Sequence, residues 1–279
     1  MPATDASYIS WVDIAQLRLG GDLRLPFELR LVEGDGVVDP ATDASVPFAD
    51  ALARIDALRR SRVIRKKDRK ARFDGCAIRR EDDGFCLEIR VGPTHYDDHM
   101  HDMQHPEETS RRAALGQERH GDPRRYLACG LGVLMLPTAA DGKVLLGVRG
   151  GKSYAGCLHG PAGWLPFKRN VSRIDPAAHA AVECEEELGL TGLNETELLG
   201  IVSYATTYET DLVFTARAPH GVLEDLVLHR RWASAVDAHE HTDVVLVTPQ
   251  EVLSPRSGRP PPLVPSTAFG LRALEDRLQ

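Results

Sequence analysis

Hydrophobic and polar residues follow two different spacings in the first part of the chain, and together they predict both strands and helices. Residues Asp22–Val32 alternate roughly like a strand, whereas the apolar residues of Pro47–Arg62 recur at helical spacing. Arg72–Arg79 and Gly84–Val91 are predicted to pair as strands around Glu81-Asp82-Asp83-Gly84, which is typical of a hairpin turn. Residues 97–125 are polar and rich in His, Asp, Glu and Arg, and are predicted to form either a long loop or a polar helix.

A second part of the chain is predicted to begin near residue 126. Leu131–Leu136 is strongly apolar and predicts a buried strand, which pairs with Lys143–Val148 across the turn at Asp141 and Gly142. The other predicted elements are a glycine-rich loop at 150–163, a helix from Asp175, strands near 198–204, 211–217 and 243–248, an extended proline-rich segment at 254–265 and a closing helix at 266–278. The pattern therefore predicts an α/β chain divided into residues 1–125 and 126–279.

The helix that begins at Asp175 has well-defined ends in the sequence. The Asp side chain can accept hydrogen bonds from the free N–H groups of the first turn, and Pro176 suits the first helical position. Gly189 is typical of the left-handed residue that ends a helix. One side of the helix is small and apolar and is predicted to pack on a sheet: Ala177, Ala181, Cys184 and Leu188.

Three carboxylates stand on another face of this helix. Glu183, Glu186 and Glu187 are spaced at i, i+3 and i+4, so their like charges weaken the helix unless a cation lies beside them. Hard divalent cations such as Mg²⁺ bind carboxylate oxygens of this kind. The alternative is a solvated acidic face, which is frequent on charged helices.

The surroundings of the three glutamates resemble the Nudix hydrolase family. A strand, the tight loop Gly160–Gly163 and a helix carrying Glu-x-x-Glu-Glu-x-Gly-Leu from Glu183 to Leu190 match the second half of the family signature, with Cys184 at its aliphatic position. The resemblance implies an α/β/α sandwich with a mixed sheet, preceded here by an N-terminal α+β extension. It also implies an enzyme that uses Mg²⁺ or Mn²⁺ to split a diphosphate linked to another group, since such ions neutralise phosphate charge and activate water.

The resemblance also implies roles for individual residues of this helix and its preceding loop. Glu186 and Glu187 would be metal ligands, and Glu183 would be a ligand or the base that activates water. The carbonyl of Ala162 would contact the metal, and Gly163, in the same loop, would lie beside the substrate.

Three residues elsewhere in the chain complete the expected site. Glu240 precedes a predicted strand and would act as a ligand or base, and Asp211 is a second candidate for that role. Arg149 ends a predicted strand and would lie near the substrate phosphates. The alternative for each of these residues is an ordinary solvated charge.

The sequence departs from the family signature in two places. The arginine that normally precedes the first helical glutamate is Val182, and Arg169 stands where an earlier glutamate is expected, with a longer gap before the helix. His179, Arg169 or Arg173 is a candidate to replace the missing arginine, and the alternative for His179 is an ordinary exposed helix residue. These departures leave room for a weakened or inactive site, and so for a module that binds a nucleotide without cleaving it.

Further stretches resemble one Nudix branch, the UDP-glucose pyrophosphatase type. They are Lys70–Gly75, Leu87–Asp97, Tyr126–Ala128, Ala238–Thr242 and Val264–Leu274. By that resemblance the partner would be a nucleoside diphosphate-linked small molecule, a UDP-hexose cleaved to UMP and a sugar 1-phosphate. The alternatives are ADP-ribose, a dinucleotide or a nucleoside triphosphate.

Composition limits the other possibilities. The net charge of −7 argues against a nucleic-acid partner, and no apolar run is long enough to predict a transmembrane helix. Five dispersed cysteines and an N-terminus without a signal-peptide pattern favour the cytoplasm. The composition does not predict an oligomeric state.

Two charged segments each allow a structural and a functional interpretation. The histidine-rich segment Thr94–His105 is predicted to be a polar loop, with a transition-metal site built on His99 and His101 as the alternative. The basic segment Arg59–Arg72 is predicted to be a solvated helix end and loop rather than a phosphate-binding surface.

Overall fold

The computed structural model describes residues 9–13, 27–33, 69–81, 84–151, 154–168, 170–204, 207–255 and 261–278. The strands and helices in these ranges are, in chain order, β1 (Ile9–Asp13), β2 (Phe27–Glu33), β3 (Lys70–Glu81), β4 (Gly84–Thr94), α1 (Tyr96–Gln104), α2 (Pro106–His120), β5 (Leu131–Thr138), β6 (Val144–Arg149), β7 (Leu158–His159), β8 (Ala162–Trp164), α3 (Pro176–Leu188), β9 (Asn194–Ser203), β10 (Thr210–Arg217), α4 (Val222–Leu228), β11 (His241–Val247), α5 (Pro249–Leu253) and α6 (Pro265–Leu278). None of the helices in these ranges is long and apolar enough to cross a bilayer.

The larger sheet is mixed. Its strand order is β1-β9-β10-β5-β6-β11, with β8 paired to β5 and β7 paired to β6. Strands β10 and β5 run parallel, and the other neighbours run antiparallel.

Helices cover both faces of this sheet. On one face, Val133 and Met135 of β5 belong to the same buried cluster as Cys184 and Leu188 of α3. On the other face, Leu134 and Leu136 of β5 cluster with Leu271 of α6. The alternation follows from the two-residue period of a strand. The expected α/β/α sandwich with a mixed sheet is therefore confirmed.

The smaller sheet joins the core of the larger one. Its order is β2-β4-β3, with β2 parallel and β3 antiparallel to β4. Ala71 and Phe73 of β3 donate main-chain hydrogen bonds to Leu165 and Cys129, each at 2.8 Å. Phe73 also lies in the buried cluster that contains Val133. Residues on both sides of the predicted boundary at 125–126 therefore share one buried core. The division into two domains stays a prediction.

Most of the predicted elements exist, with shifted ends. The strands predicted at 72–79 and 84–91 are the longer β3 and β4, and those predicted at 198–204, 211–217 and 243–248 are β9, β10 and β11. The polar stretch 97–125 holds two helices, α1 and α2, so the loop alternative was wrong. The helix predicted at Pro47–Arg62 and most of the basic segment Arg59–Arg72 lie outside the described residues.

The strands predicted as a simple hairpin, β5 and β6, separate almost at once. They pair only at Thr138 and Val144, because β8 and β7 lie between them further along. The main-chain N–H of Met135 donates to Pro161 of the intervening loop at 2.9 Å. The loop predicted at 150–163 therefore fills a split in the sheet, and this split lies directly beside α3.

Candidate active site

Helix α3 has the ends that its sequence predicts. The Asp175 side chain accepts hydrogen bonds from the N–H groups of Ala177 (2.9 Å) and Ala178 (3.1 Å). Gly189 ends the helix with φ 66°. The buried residues on the sheet side are Pro176, Ala180, Cys184, Glu187 and Leu188. Ala180 therefore occupies the core position predicted for Ala181.

The three glutamates of α3 differ in burial. Glu187 is 1% exposed, Glu183 is half-buried and Glu186 is exposed. The main-chain carbonyl of Glu186 accepts a hydrogen bond from Asp237 at 2.7 Å. That bond holds the 3₁₀ turn Ala238–Glu240 against the helix, so Glu240 is brought to the same side as the helical carboxylates.

Glu183 lies between a histidine and the loop. Nε2 of His179 is 3.2 Å from its Oε1 and 3.3 Å from the carbonyl oxygen of Trp164. A side chain on Gly163 would overlap the Glu183 carboxylate, so the glycine permits the close approach. Of the candidates to replace the missing arginine, His179 contacts Glu183, Arg173 is exposed and Arg169 lies outside the described residues. Burial lowers the pKa of His179, so the ring acts as a neutral donor.

The electrostatics around Glu183 are unfavourable for its ionised form. Burial and, in decreasing order, the charges of Glu187, Glu186 and Glu240 together raise the pKa of Glu183 to about 7. A cation bound among these carboxylates would offset the repulsion that Glu183 experiences from the other three and would lower its pKa.

Glu187 is held on both oxygens. Oε1 accepts from the main-chain N–H of Ala162 at 2.9 Å, and Oε2 lies 2.6 Å from Nε2 of His241. Because a carboxylate only accepts, Nε2 of His241 is assigned the proton. The imidazole lies over Gly147, where any side chain would overlap it. Sequence reasoning missed His241, and the one hint in the sequence is Gly147, a glycine inside a predicted strand.

Glu240 and Arg149 lie together. Nη2 of Arg149 is 3.3 Å from Oε2 of Glu240, and β11 pairs His241 with Arg149 in register. Burial and the charge of Glu187 raise the pKa of Glu240, while Arg149 opposes the rise. Two residues predicted from distant parts of the sequence are therefore adjacent, on the side of the sheet that faces α3.

Asp211 faces α6 rather than α3, although the positive charge of Arg149 acts on it and opposes the rise of its pKa. It lies on the α6 side, where its Oδ2 accepts from the Tyr204 hydroxyl at 2.9 Å, and that hydroxyl is also 2.9 Å from Ser266 of α6. Burial raises the pKa of Asp211, and nearby Glu209 adds to the rise. These contacts make Asp211 part of the packing between β10 and α6.

Glu209, which sequence reasoning missed, links helix α1 to Trp164 beside the loop 160–163. Its carboxylate accepts from the indole N–H of Trp164 at 2.7 Å and lies 3.8 Å from His99. The His99 ring packs edge-on against Trp164 with centroids 4.6 Å apart. His99 is therefore a packed residue of helix α1. His101, also on α1, lies near Arg112 of α2 in a buried network between these two helices.

The donor chemistry fits a hard divalent cation. Glu183, Glu186 and Glu240 supply carboxylate oxygens beside one loop, and their mutual repulsion is the situation that a bound cation relieves. Within the described ranges, no three His, Cys, Asp or Glu side chains already converge as a metal site.

Comparisons with known proteins give likenesses among solved structures alone. No family model and no curated protein matches the chain. The Nudix domain of Shewanella oneidensis NrtR complexed with ADP-ribose is 18% identical, with a TM-score of 0.40, and the match covers 60% of this chain and 98% of that one. The MutT protein of Methanosarcina mazei is 19% identical (TM-score 0.36; 53% and 94% covered), and the MutT Nudix hydrolase of Burkholderia pseudomallei is 22% identical (TM-score 0.36; 52% and 96% covered). At 18–22% identity, these likenesses concern the fold alone.

Proposed function

We propose that this chain is a Mg²⁺- or Mn²⁺-dependent hydrolase that cleaves the diphosphate of a nucleoside diphosphate derivative. The observation that carries the proposal is the crowding of Glu183, Glu186 and Glu240 beside the loop 160–163. Burial and the charges of Glu187, Glu186 and Glu240 raise the pKa of Glu183 to about 7. Such crowding is unfavourable without a cation, and a cation among carboxylates is what diphosphate cleavage needs.

The proposed metal ligands are carboxylates on α3 and a carbonyl of the loop. The resemblance assigns Glu183, Glu186, Glu187 and the Ala162 carbonyl to this role, and of the three carboxylates only that of Glu186 is exposed. Arg149 and Gly163 are proposed to lie beside the substrate. Arg149 contacts Glu240 and carries the positive charge that a phosphate oxygen would attract.

The proposed reaction transfers one phosphoryl group to water. The water oxygen bonds to one phosphorus, the bond from that phosphorus to the bridging oxygen breaks, and the other phosphate leaves with the bridging oxygen. Glu183 or Glu240 accepts a proton from the water. In the metal-free protein the pKa of Glu183 is about 7, which suits a general base, and burial also raises the pKa of Glu240. A bound divalent ion would neutralise phosphate charge and lower the pKa of the water.

The proposed substrate is a UDP-sugar, which would give UMP and a sugar 1-phosphate. This choice rests on the stretches that resemble the UDP-glucose pyrophosphatase type, such as Lys70–Gly75, which begins β3, and Leu87–Asp97, which runs from β4 into the first turn of α1. ADP-ribose, a dinucleotide and a nucleoside triphosphate are the alternatives within the same chemistry.

A substrate panel separates these possibilities. The protein is incubated with Mg²⁺ and UDP-glucose, ADP-ribose, a dinucleoside diphosphate or a nucleoside triphosphate, and the products are identified by chromatography and mass spectrometry. UMP and glucose 1-phosphate as the fastest products would support the UDP-sugar assignment. Faster release of AMP from ADP-ribose would replace it, and no turnover of any compound would contradict the hydrolase.

A nucleotide-binding module without catalysis is the second candidate. Val182, in place of the family arginine, is 44% exposed, and both oxygens of Glu187 already have partners. Binding of the same compounds by calorimetry with and without Mg²⁺ distinguishes the two functions. Tight, metal-independent binding without turnover would favour the binding module.

A further inference from the structure

Glu209 has one carboxylate oxygen that the fold uses and one that it leaves available. Oε1 accepts the indole N–H of Trp164 at 2.7 Å. Oε2 lies 3.8 Å from Nε2 of His99, which is too long for a hydrogen bond, and none of the described residues donates to it. The Glu209 side chain is 18% exposed, and Oε2 is not one of the enclosed, unpaired polar atoms of those residues. Glu209 therefore offers a ligand one acceptor for an N–H or O–H group.

The neighbouring Asp211 does not offer an acceptor in the same way. Its Oδ2 accepts from the Tyr204 hydroxyl at 2.9 Å, and that hydroxyl is also 2.9 Å from Ser266 of the covering helix α6. A side chain on Gly132 would overlap Oδ1 of Asp211, so the backbone of β5 lies against this oxygen. Of these two carboxylates, Glu209 is therefore the one that a ligand can contact.

An aromatic ring and a cation complete the surroundings of Glu209. Tyr154 is 38% exposed, and burial and then the charge of Glu209 raise its pKa to about 12, which indicates that the two side chains are close. Tyr154 lies in the turn after β6, where the N–H of Gly156 donates to the carbonyl of Arg149 at 2.8 Å. Burial raises the pKa of both Glu209 and Glu240, and the charge of Arg149 opposes the rise in each case. Arg149 therefore connects Glu209 with the proposed metal site.

These three groups match the parts of a nucleotide. The flat face of a nucleobase stacks on an aromatic side chain, and a ring N–H or amino group of the base donates to a carboxylate. A phosphate attached to the same nucleoside pairs with an arginine. A nucleotide with its phosphates at Arg149 can therefore meet Glu209 and Tyr154 with its base.

We propose that Glu209 and Tyr154 form a nucleobase site, in which Oε2 of Glu209 accepts an N–H of the base and the Tyr154 ring stacks on its face. The inference rests on the proposed function, which gives Arg149 to the phosphates. It adds the feature that selects the nucleotide: a base that donates at this edge, through the N3–H of uracil or the amino group of adenine. A nucleotide whose base lacks that donor is bound weakly.

Binding of nucleoside monophosphates in EDTA tests the site without metal or turnover. Calorimetry compares UMP with its N3-methyl analogue, and AMP with purine riboside 5′-monophosphate, which lacks the amino group. Because burial raises the pKa of Glu209, the buffer is held at about pH 8 to keep the carboxylate ionised.

The tighter-binding parent nucleotide identifies the base. We expect removal of its donor to weaken binding at least about tenfold, as for a hydrogen bond to a charged group. Equal binding within both pairs of nucleotides, or no binding of either parent, would overturn the proposal.

Glu209→Gln separates the hydrogen bond from other effects of changing the base. The amide oxygen can keep the bond to Trp164, which places the NH₂ group at the free position, facing the donor of the base. The weakening caused by removal of that donor should therefore be at least about fivefold smaller in this variant than in the wild type. Asp211→Asn is the matched control and should keep the full weakening, because Asp211 already bonds to Tyr204. The same weakening in Glu209→Gln as in the wild type would overturn the proposal.

The role of Tyr154 is tested by removing its ring or only its hydroxyl. Tyr154→Leu is expected to weaken binding of the parent nucleotide about tenfold, since stacking on the base is lost. Tyr154→Phe keeps the ring and should bind like the wild type. Equal binding by the two variants would show that Tyr154 does not stack on the base.

Failure of the nucleobase site and failure of the proposed hydrolase give different results. Donor-dependent binding in EDTA by a protein that shows no turnover with Mg²⁺ would support the nucleobase site and contradict the hydrolase. Mg²⁺-dependent turnover with donor-independent binding would overturn the nucleobase site alone. If both hold, Glu209→Gln should raise KM about tenfold with kcat nearly unchanged, since a contact to the base is made equally in the ground state and the transition state.

Discussion

Gly163 is the position where a single methyl group would reach the proposed catalytic carboxylate. A Cβ there would overlap the carboxylate of Glu183, which is the far end of a flexible side chain and can move at little cost to the fold. We therefore expect Gly163→Ala to lower kcat about 100-fold through misplacement of Glu183, with the melting temperature nearly unchanged. Gly151→Ala is the matched control, because nothing lies within 4 Å of its Cβ position. Equal activity of the two variants would show that Glu183 is not needed where it lies.

A substitution at Gly147 tests the position of His241 in the same way, but here the expected loss is in stability rather than in activity. A Cβ on Gly147 would overlap the His241 ring, whose side chain is fully buried and cannot turn into solvent. We expect Gly147→Ala to destabilise the protein by about 1–3 kcal/mol, as overpacking in a core does. Urea denaturation measures the loss, and an unchanged midpoint would mean that the ring lies elsewhere.

The raised pKa of Glu183 predicts a pH-dependent stability in metal-free buffer. Because the folded protein holds this proton up to about pH 7 while a free glutamate releases it near 4.5, protonation favours the folded state. The contribution is complete below pH 4.5 and is lost as the pH rises to about 7. Wild type should therefore lose stability relative to Glu183→Gln across that interval, as measured by urea unfolding in EDTA. If the difference in unfolding free energy between the two proteins did not change with pH, the raised pKa of Glu183 would be contradicted.

Individual site residues were predictable to different degrees. Glu183 and Glu186 follow from helical spacing, and the pairing of Glu240 with Arg149 agrees with their expected places at strand ends. His241 and Glu209 were missed because their partners are distant in sequence: Glu187 lies 54 positions from His241, and Trp164 lies 45 from Glu209. Asp211 shares the strand-end pattern of Glu240, yet the sequence alone does not say that it faces α6.

Helix α3 was predicted almost completely because its signals are local. The cap, the proline and the final glycine act on the adjacent turn, so they need no knowledge of the rest of the chain. The separation of β5 from β6 could not be predicted in this way. It depends on Met135 bonding to Pro161 in place of the neighbouring strand.

Asp175 provides a test of the interpretation of that helix. Asp175→Ala should cost about 1 kcal/mol of stability, because two N–H groups lose their acceptor, whereas Asp175→Asn should retain most of it. Both variants should keep the activity of the wild type, since Asp175 acts here as a cap. Loss of turnover in Asp175→Asn, with normal stability, would instead give this residue the role of the missing early glutamate.

The whole molecule brings its two predicted parts into one structure. Phe73 and Ile89 of the smaller sheet share a buried cluster with Val133 of the larger one, and α1 packs His99 against Trp164 of the loop beside Glu183. Contacts of this kind cannot be read from periodicity, which reports one element at a time. Helix α1 of the N-terminal part therefore packs against Trp164, next to the loop 160–163 of the proposed site.

The most direct test of the proposed hydrolase is the initial rate of diphosphate cleavage as a function of Mg²⁺ concentration, with the fastest substrate of the panel. The account predicts no rate in EDTA, a saturable rise with Mg²⁺, and a kcat for Glu186→Gln at least about 100-fold lower, since a ligand of the charge-neutralising ion is lost. The melting temperature of the variant should match the wild type, because Glu186 is exposed. A rate that does not depend on Mg²⁺, or equal rates for the two proteins, would contradict the account.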